Sequence, residues 1–256
     1  MHTSKLIKTI SWSIVAASAF VALSSGAGPR EAPRSPPVFL WAWERPEKLD
    51  FIDPEKVGVA FLAKTISLRS DQVLTRPRLQ PLLVPPGTVL TAVARIESDP
   101  ALPPTRSRAQ VLATATEIAK LEHLPNVRTV QVDFDATLSE RDFYRALILE
   151  LRQQLSASTQ LSITALASWC LGDDWLSKLP IDEAVPMLFR MGIERRQILS
   201  QLESGAKFNS PPCRAAAGVS TDEISSLKVQ APRLYIFSPL PWSRASLNAA
   251  LETYQK

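Results

Sequence analysis

The chain has 256 residues, a formal net charge of +4, two histidines, two cysteines and eight glycines. Its small basic excess is spread over single residues such as Arg69, Arg76, Arg78, Arg106 and Arg108 without interleaved aromatics, which reads as solvated surface and argues against nucleic-acid binding. With only His2 and His123 present, the sequence argues against Ser-His-Asp and Cys-His catalysis and excludes His-rich zinc sites, and no glycine-rich phosphate loop or dinucleotide fingerprint calls for a cofactor.

The chain opens with Lys5 and Lys8, an apolar stretch from Ile10 to Leu23, and the small residues Ser24 to Gly28. That order predicts a signal peptide over 1–27, cleaved after Ala27, because the apolar core is shorter than the roughly 20 residues that span a bilayer. Retention of the segment as an N-terminal anchor is the alternative, and the only membrane attachment expected. Either way the domain is periplasmic or secreted, and loss of Lys5 and Lys8 on cleavage leaves a net charge of +2. Residues 28–37 (GPREAPRSPP) read as a proline-rich linker, and 38–256 as a single domain.

Strand-like runs follow at Val38–Trp43, Val57–Ala63, Thr88–Ile96, Val127–Ala136, Leu161–Trp169, Ala184–Phe189, Ala215–Val219 and Arg233–Phe237. Helical patterns separate several of them: Ser107–Leu121; a helix with Ser139 as its cap, Asp142 three residues on, and Phe143, Leu147 and Leu151 at four-residue spacing; then Arg195–Leu202 and Ser243–Tyr254. Alternation of this kind predicts a TIM-like (β/α)8 barrel, with an open sheet as the alternative. Pro77, Pro81, Pro85 and Pro86 break the pattern between Lys64 and Gly87, where irregular or hairpin structure and a missing helix are expected. Cys170 falls just after one strand and Cys213 just before another, at opposite ends of a parallel barrel, so the sequence leaves their pairing open.

The fourth run carries the chemistry. Side chains alternate across a strand, so Val130, Val132 and Phe134 share the face that packs on helices, while Gln131, Asp133 and Asp135 point into the barrel. Both carboxylates then lie toward the strand's C-terminal end, where barrel enzymes place their active sites. Two residues span roughly 6.6 Å along a strand, within the range of about 5 to 9.5 Å used by glycosidase acid pairs. Glu44, Glu97, Asp173 with Asp174, and Asp222 with Glu223 follow other strands and could join that mouth, though the last pair fits a helix cap equally well. Arg190 ends the sixth run and is a candidate partner for the two aspartates. Trp41, Trp43, Trp169 and Trp242 also fall at strand ends, where their flat faces would stack on sugar rings. His123 precedes the fourth run at the opposite end.

The segments VFLWAWERPE (Val38–Glu47), VQVDFDATLSERDFY (Val130–Tyr144), LSITALASWC (Leu161–Cys170), DEAVPMLFRMG (Asp182–Gly192) and CRAAAGVSTDE (Cys213–Glu223) together resemble the bacterial family labelled domain of unknown function (DUF) 3142, whose name implies no reaction. The Asp133–Asp135 strand is also similar to the fourth strand of chitinase-like barrels, glycoside hydrolase family eighteen, with the motif Asp-x-Asp-x-Glu. Thr137 stands where that motif has its catalytic Glu, and the nearest later acid, Glu140, lies in the following helix.

Three expectations follow. The favoured one is a glycoside hydrolase using Asp133 and Asp135 with a further acid from Glu44, Glu97 or Asp173, and binding its glycan through Trp41, Trp43, Trp169, Asp173, Arg190 and Trp242. The alternatives are a non-catalytic saccharide-binding barrel, which Thr137 favours, and a divalent-metal site built from the same carboxylates.

Overall fold

A computed structural model describes residues 35–172, 174–223 and 231–254. The expected signal segment 1–27 and most of the linker lie outside the described residues. In chain order the strands are β1 (Val38–Ala42), β2 (Glu47–Lys48), β3 (Val57–Arg69), β4 (Gln72–Pro77), β5 (Leu82–Leu83), β6 (Leu90–Ser98), β7 (Val127–Asp133), β8 (Gln160–Leu166), β9 (Glu183–Met187), β10 (Ala216–Ser220) and β11 (Arg233–Phe237). The helices are α1 (Arg108–Ala119), α2 (Arg141–Gln154), α3 (Ala167–Leu171), α4 (Arg195–Glu203) and α5 (Arg244–Tyr254).

Eight of these strands close a parallel barrel in the order β1-β11-β10-β9-β8-β7-β6-β3, with β3 returning to pair with β1. All eight coincide with the expected runs, and the open-sheet alternative is excluded. Two early connections among the described residues are irregular. After β1 the chain forms only the short β2, and after β3 it turns back as an antiparallel hairpin with β4 and then pairs β5 with β2. Prolines at 77, 81, 85 and 86 remove the backbone donors a helix would need there.

Parallel strands are buried on both faces, so each must be apolar outward and well packed inward. The outer wall is covered by two helix-side clusters. One joins β3, β6, β7 and β8 to α1, α2 and α3, and the other surrounds β1, β10 and β11 under α4 and α5. Val130, Val132 and Phe134 enter the first, beneath Tyr144, Leu147 and Leu151 of α2. Among the described residues no helix is long and apolar enough to cross a membrane.

Two local expectations change. The cap of α2 is not the Ser139–Asp142 pair: the chain stays extended to Thr137 and makes a 3-10 turn over Leu138–Glu140, so Thr137 and Glu140 form the capping box. Asp142 points into solvent, 97% exposed. Cys170 and Cys213 are bonded, with Cα atoms 5.9 Å apart. They meet because α3 turns back along the outer wall directly after β8, while the segment entering β10 runs beside it; the Asn209 N–H donates to the Cys170 carbonyl at 2.8 Å.

Candidate functional site at the barrel mouth

The barrel interior is a ladder of polar contacts rising to the mouth. Low down, the Tyr235 hydroxyl donates to Glu183 Oε1 at 2.8 Å, Ser162 donates to the same oxygen at 3.1 Å, and Arg233 pairs with Oε2. Gln131 donates to Ser162 at 3.0 Å and accepts from the Trp41 indole N–H at 3.2 Å. Each buried polar group therefore hands its partner to the next strand, and the top rung fixes the Trp41 ring. Gly218 makes room for that ring: a Cβ at this position would lie 2.9 Å from it.

Above Trp41 lies a cavity of about 520 Å³. Asp133, buried at 4% exposure, forms part of its floor, held on both oxygens: Arg95 Nη1 donates to Oδ2 at 2.8 Å and Thr164 donates to Oδ1 at 2.7 Å. These partners come from the strands either side of β7, so register alone assembles them; Arg95 is directly opposite Asp133 on β6.

Asp135 differs. It lines the same cavity and makes no hydrogen bond or ion pair among the described residues. The cavity walls take away part of its water although its edge is open, and this burial pushes its pKa up; the Asp133 carboxylate adds to the rise, while Arg95 opposes it. Glu194, in the 3-10 turn Gly192–Glu194 after β9, brings a second carboxyl without an ion pair among the described residues.

The cavity wall is aromatic. Phe189 and Phe237 stack with ring centres 5.7 Å apart, Trp43 meets Phe237 edge-on at 6.5 Å, and Trp41 tilts against Phe189 at 6.1 Å. Trp43 is carried by the loop after β1, which is anchored from the hairpin: Arg78 donates to the carbonyls of Trp43 and Arg45, the latter at 2.6 Å. Arg45 in turn donates to the carbonyls of Ser238, Pro239 and Leu240 after β11, at 2.8, 3.0 and 2.6 Å. Arg78 and Arg45 thus bolt three rim loops together, so Arg78 is a structural tie and not the solvated surface residue its spacing suggests.

Of the expected residues, Asp133, Asp135, Trp41, Trp43 and Arg190 converge on the cavity. The others do not. Glu44 turns to Arg76 at 2.8 Å, in a separate groove beside the hairpin. Glu97 reaches Arg95 at 3.1 Å from outside the cavity. Trp169 follows β8 onto α3, which turns its ring outward against Tyr144 and Trp175 in the helix-side core. Trp242 is 5% exposed and packs behind β1, its indole donating to the Trp41 carbonyl at 3.2 Å. Asp173 lies outside the described residues. Glu140 is also spent: burial pushes its pKa up, but bonds from Ser98 and from the Thr137 N–H and hydroxyl outweigh this and hold it low. Asp222 and Glu223 bond locally, to Ser220 and to Arg190 and Arg195 respectively. His123 is exposed at the opposite end, before β7.

Sequence reading missed Arg95, Phe189, Phe237 and Glu194 as lining residues. Arg95 had a legible signal, since it shares the inward face of β6 with Val93 while Ala94 and Ile96 face the helices. Glu194 had none, because it stands on a turn whose path depends on the packing of α4. Among the described residues no three His, Cys, Asp or Glu side chains are grouped as a metal site. Compared with known proteins, the chain matches no family model and no curated protein.

Proposed function

We propose that the barrel binds a saccharide across its mouth and hydrolyses a glycosidic bond, with Asp135 as the proton donor. The observation that carries this reading is the unpaired, upshifted carboxyl of Asp135 beside an Asp133 locked by Arg95 and Thr164, under a wall of aromatic rings. Two neighbouring aspartates in unlike environments divide into one whose raised pKa suits a proton donor and one held in an ion pair with Arg95. Asp135 gives its proton to the glycosidic oxygen as the bond to the anomeric carbon breaks, and Asp133 stays bonded to Arg95 and Thr164 below. Glu194 takes a proton from the water that adds to that carbon, which balances the hydrolysis. Trp43 and Phe237 supply flat apolar faces for the sugar rings.

A second reading, binding without hydrolysis, is favoured by Thr137: the position that carries the acid in the similar chitinase-like strand is occupied by a capping residue, and Glu140 is tied into the same cap. The divalent-metal alternative is disfavoured, because both Asp133 oxygens already accept from Arg95 and Thr164. The test is a glycan-binding panel on the purified protein, run beside a reducing-end release assay on the same glycans. Binding with release, lost in Asp135→Asn, supports hydrolysis. Binding without release leaves the lectin-like reading, and no binding sinks both.

A further inference from the structure

Arg190 has a role that neither hydrolysis nor barrel stability uses. It ends the chain's exit from β9 and lines the cavity, with its guanidinium 4.9 Å from the centre of the Phe237 ring. Its backbone is left-handed, φ 52°, and so is that of Gly192 at 57°. A non-glycine residue rarely adopts that region unaided, so something must hold it there. Glu223 does: both its oxygens accept from the Arg190 N–H at 3.1 Å, and the same carboxylate pairs with the guanidinium of Arg195. The carboxylate that meets the Arg190 backbone is therefore spent on that N–H and on another arginine. Among the described residues the Arg190 guanidinium itself makes no hydrogen bond or ion pair.

The other cavity cation behaves oppositely. Arg95 is satisfied by Asp133 and Glu97 and lies 5.9 Å from the centre of Trp43. The aromatic wall thus has a neutralised cation at one end and an available one at the other, since Trp43 and Phe237 touch edge-on between them. A guanidinium stacked on a ring keeps its planar edge of N–H donors free, and that edge matches two oxygens of one anion.

We infer that the saccharide taken by this mouth carries an anionic substituent, a ring carboxylate or a sulfate ester, and that Arg190 binds it beside Phe237. This rests on the saccharide reading above and adds the class of sugar. The sugar ring lies on the aromatic wall, the anion meets the Arg190 donors, and the linkage faces Asp135.

The test measures affinities of the purified protein for a panel of uronate oligosaccharides, their methyl esters, sulfated oligosaccharides and their unsulfated parents, with Arg190→Gln and Arg190→Lys alongside. An anionic oligomer should bind at least tenfold tighter than its neutral counterpart; Arg190→Gln should erase the difference and Arg190→Lys retain part of it. Which pair shows the gain separates carboxylate from sulfate. Because the Arg190 side chain is exposed, Arg190→Gln should keep the wild-type unfolding midpoint. Equal binding of charged and neutral oligomers, or a preference that survives Arg190→Gln, overturns the inference and leaves the saccharide reading standing. Failure of every oligomer to bind overturns both.

Discussion

Arg95 and Asp133 face each other across neighbouring parallel strands, and their side chains meet at 2.8 Å on the floor of the mouth. The pair is lopsided, with Asp133 almost wholly buried and Arg95 about one-third exposed. Removing the cation strands a buried carboxylate, while removing the acid leaves an arginine that can still reach water.

Arg95→Met should therefore destabilise the fold by about 2 kcal/mol, less than the 3 to 5 kcal/mol of a fully buried pair because Arg95 is partly solvated. Urea unfolding of the variant against wild type measures it. An unchanged midpoint would mean that Thr164 alone satisfies Asp133.

Asp135 gives a pH signature with a definite sign. Its folded pKa is raised, so the folded chain binds this proton more tightly than the unfolded chain. Stability then falls as pH rises from about 3.8, the ordinary aspartate value, through the raised folded value. Asp135→Asn removes that loss and should be more stable than wild type at neutral pH, with the gap closing in acid. In the hydrolysis reading the same variant should lose roughly 10² to 10⁴ in turnover while keeping glycan affinity. A variant less stable than wild type at pH 7 would contradict the upshift.

Two tryptophans expected together in the cleft should now separate. Trp43→Ala should weaken saccharide binding with little effect on stability. Trp169→Ala should cost about 3 to 5 kcal/mol of stability, because its ring is buried against Tyr144 and Trp175, and leave affinity intact. Calorimetric unfolding beside binding titration distinguishes them, and loss of affinity in Trp169→Ala with an unchanged fold would count against the assignment.

Arg78→Ala should act on Trp43 at a distance. Without its donors the carbonyls of Trp43 and Arg45 lose their anchor, and the loop after β1 gains freedom. Affinity for the saccharide should fall about tenfold, on the scale of one charge-assisted bond, with a smaller effect in Arg78→Lys. Wild-type affinity in both would show that Arg45 alone holds the rim.

The disulfide closes a stretch of 43 residues containing β9 and α4. On the chain-entropy account its removal, by Cys170→Ser with Cys213→Ser, should cost about 4 kcal/mol, and reduction of wild type should approach the same value. Unfolding with and without reductant checks this.

The barrel was legible because a parallel strand is apolar on its helix-facing side whatever its neighbours do, and eight such runs with helical spacers admit few closed arrangements. Alternation alone put Asp133 and Asp135 inward and Val132 and Phe134 outward, since the two-residue period of a strand is a local property. Proline placement gave the missing early helices for the same local reason. What happens one residue past a strand end is not local. Trp169 and Trp242 share with Trp41 a position near a strand terminus, yet α3 carries the first outward and the turn after β11 tucks the second behind β1, because core packing decides where each exit bends. The cap of α2, the Cys170–Cys213 bond, the diversion of Glu44 to Arg76 and the arrival of Glu194 at the mouth all depend on which segments lie side by side across tens of residues. Sequence periodicity sets which face a side chain takes within an element; only the closed barrel and the packing of its exits set which side chains meet.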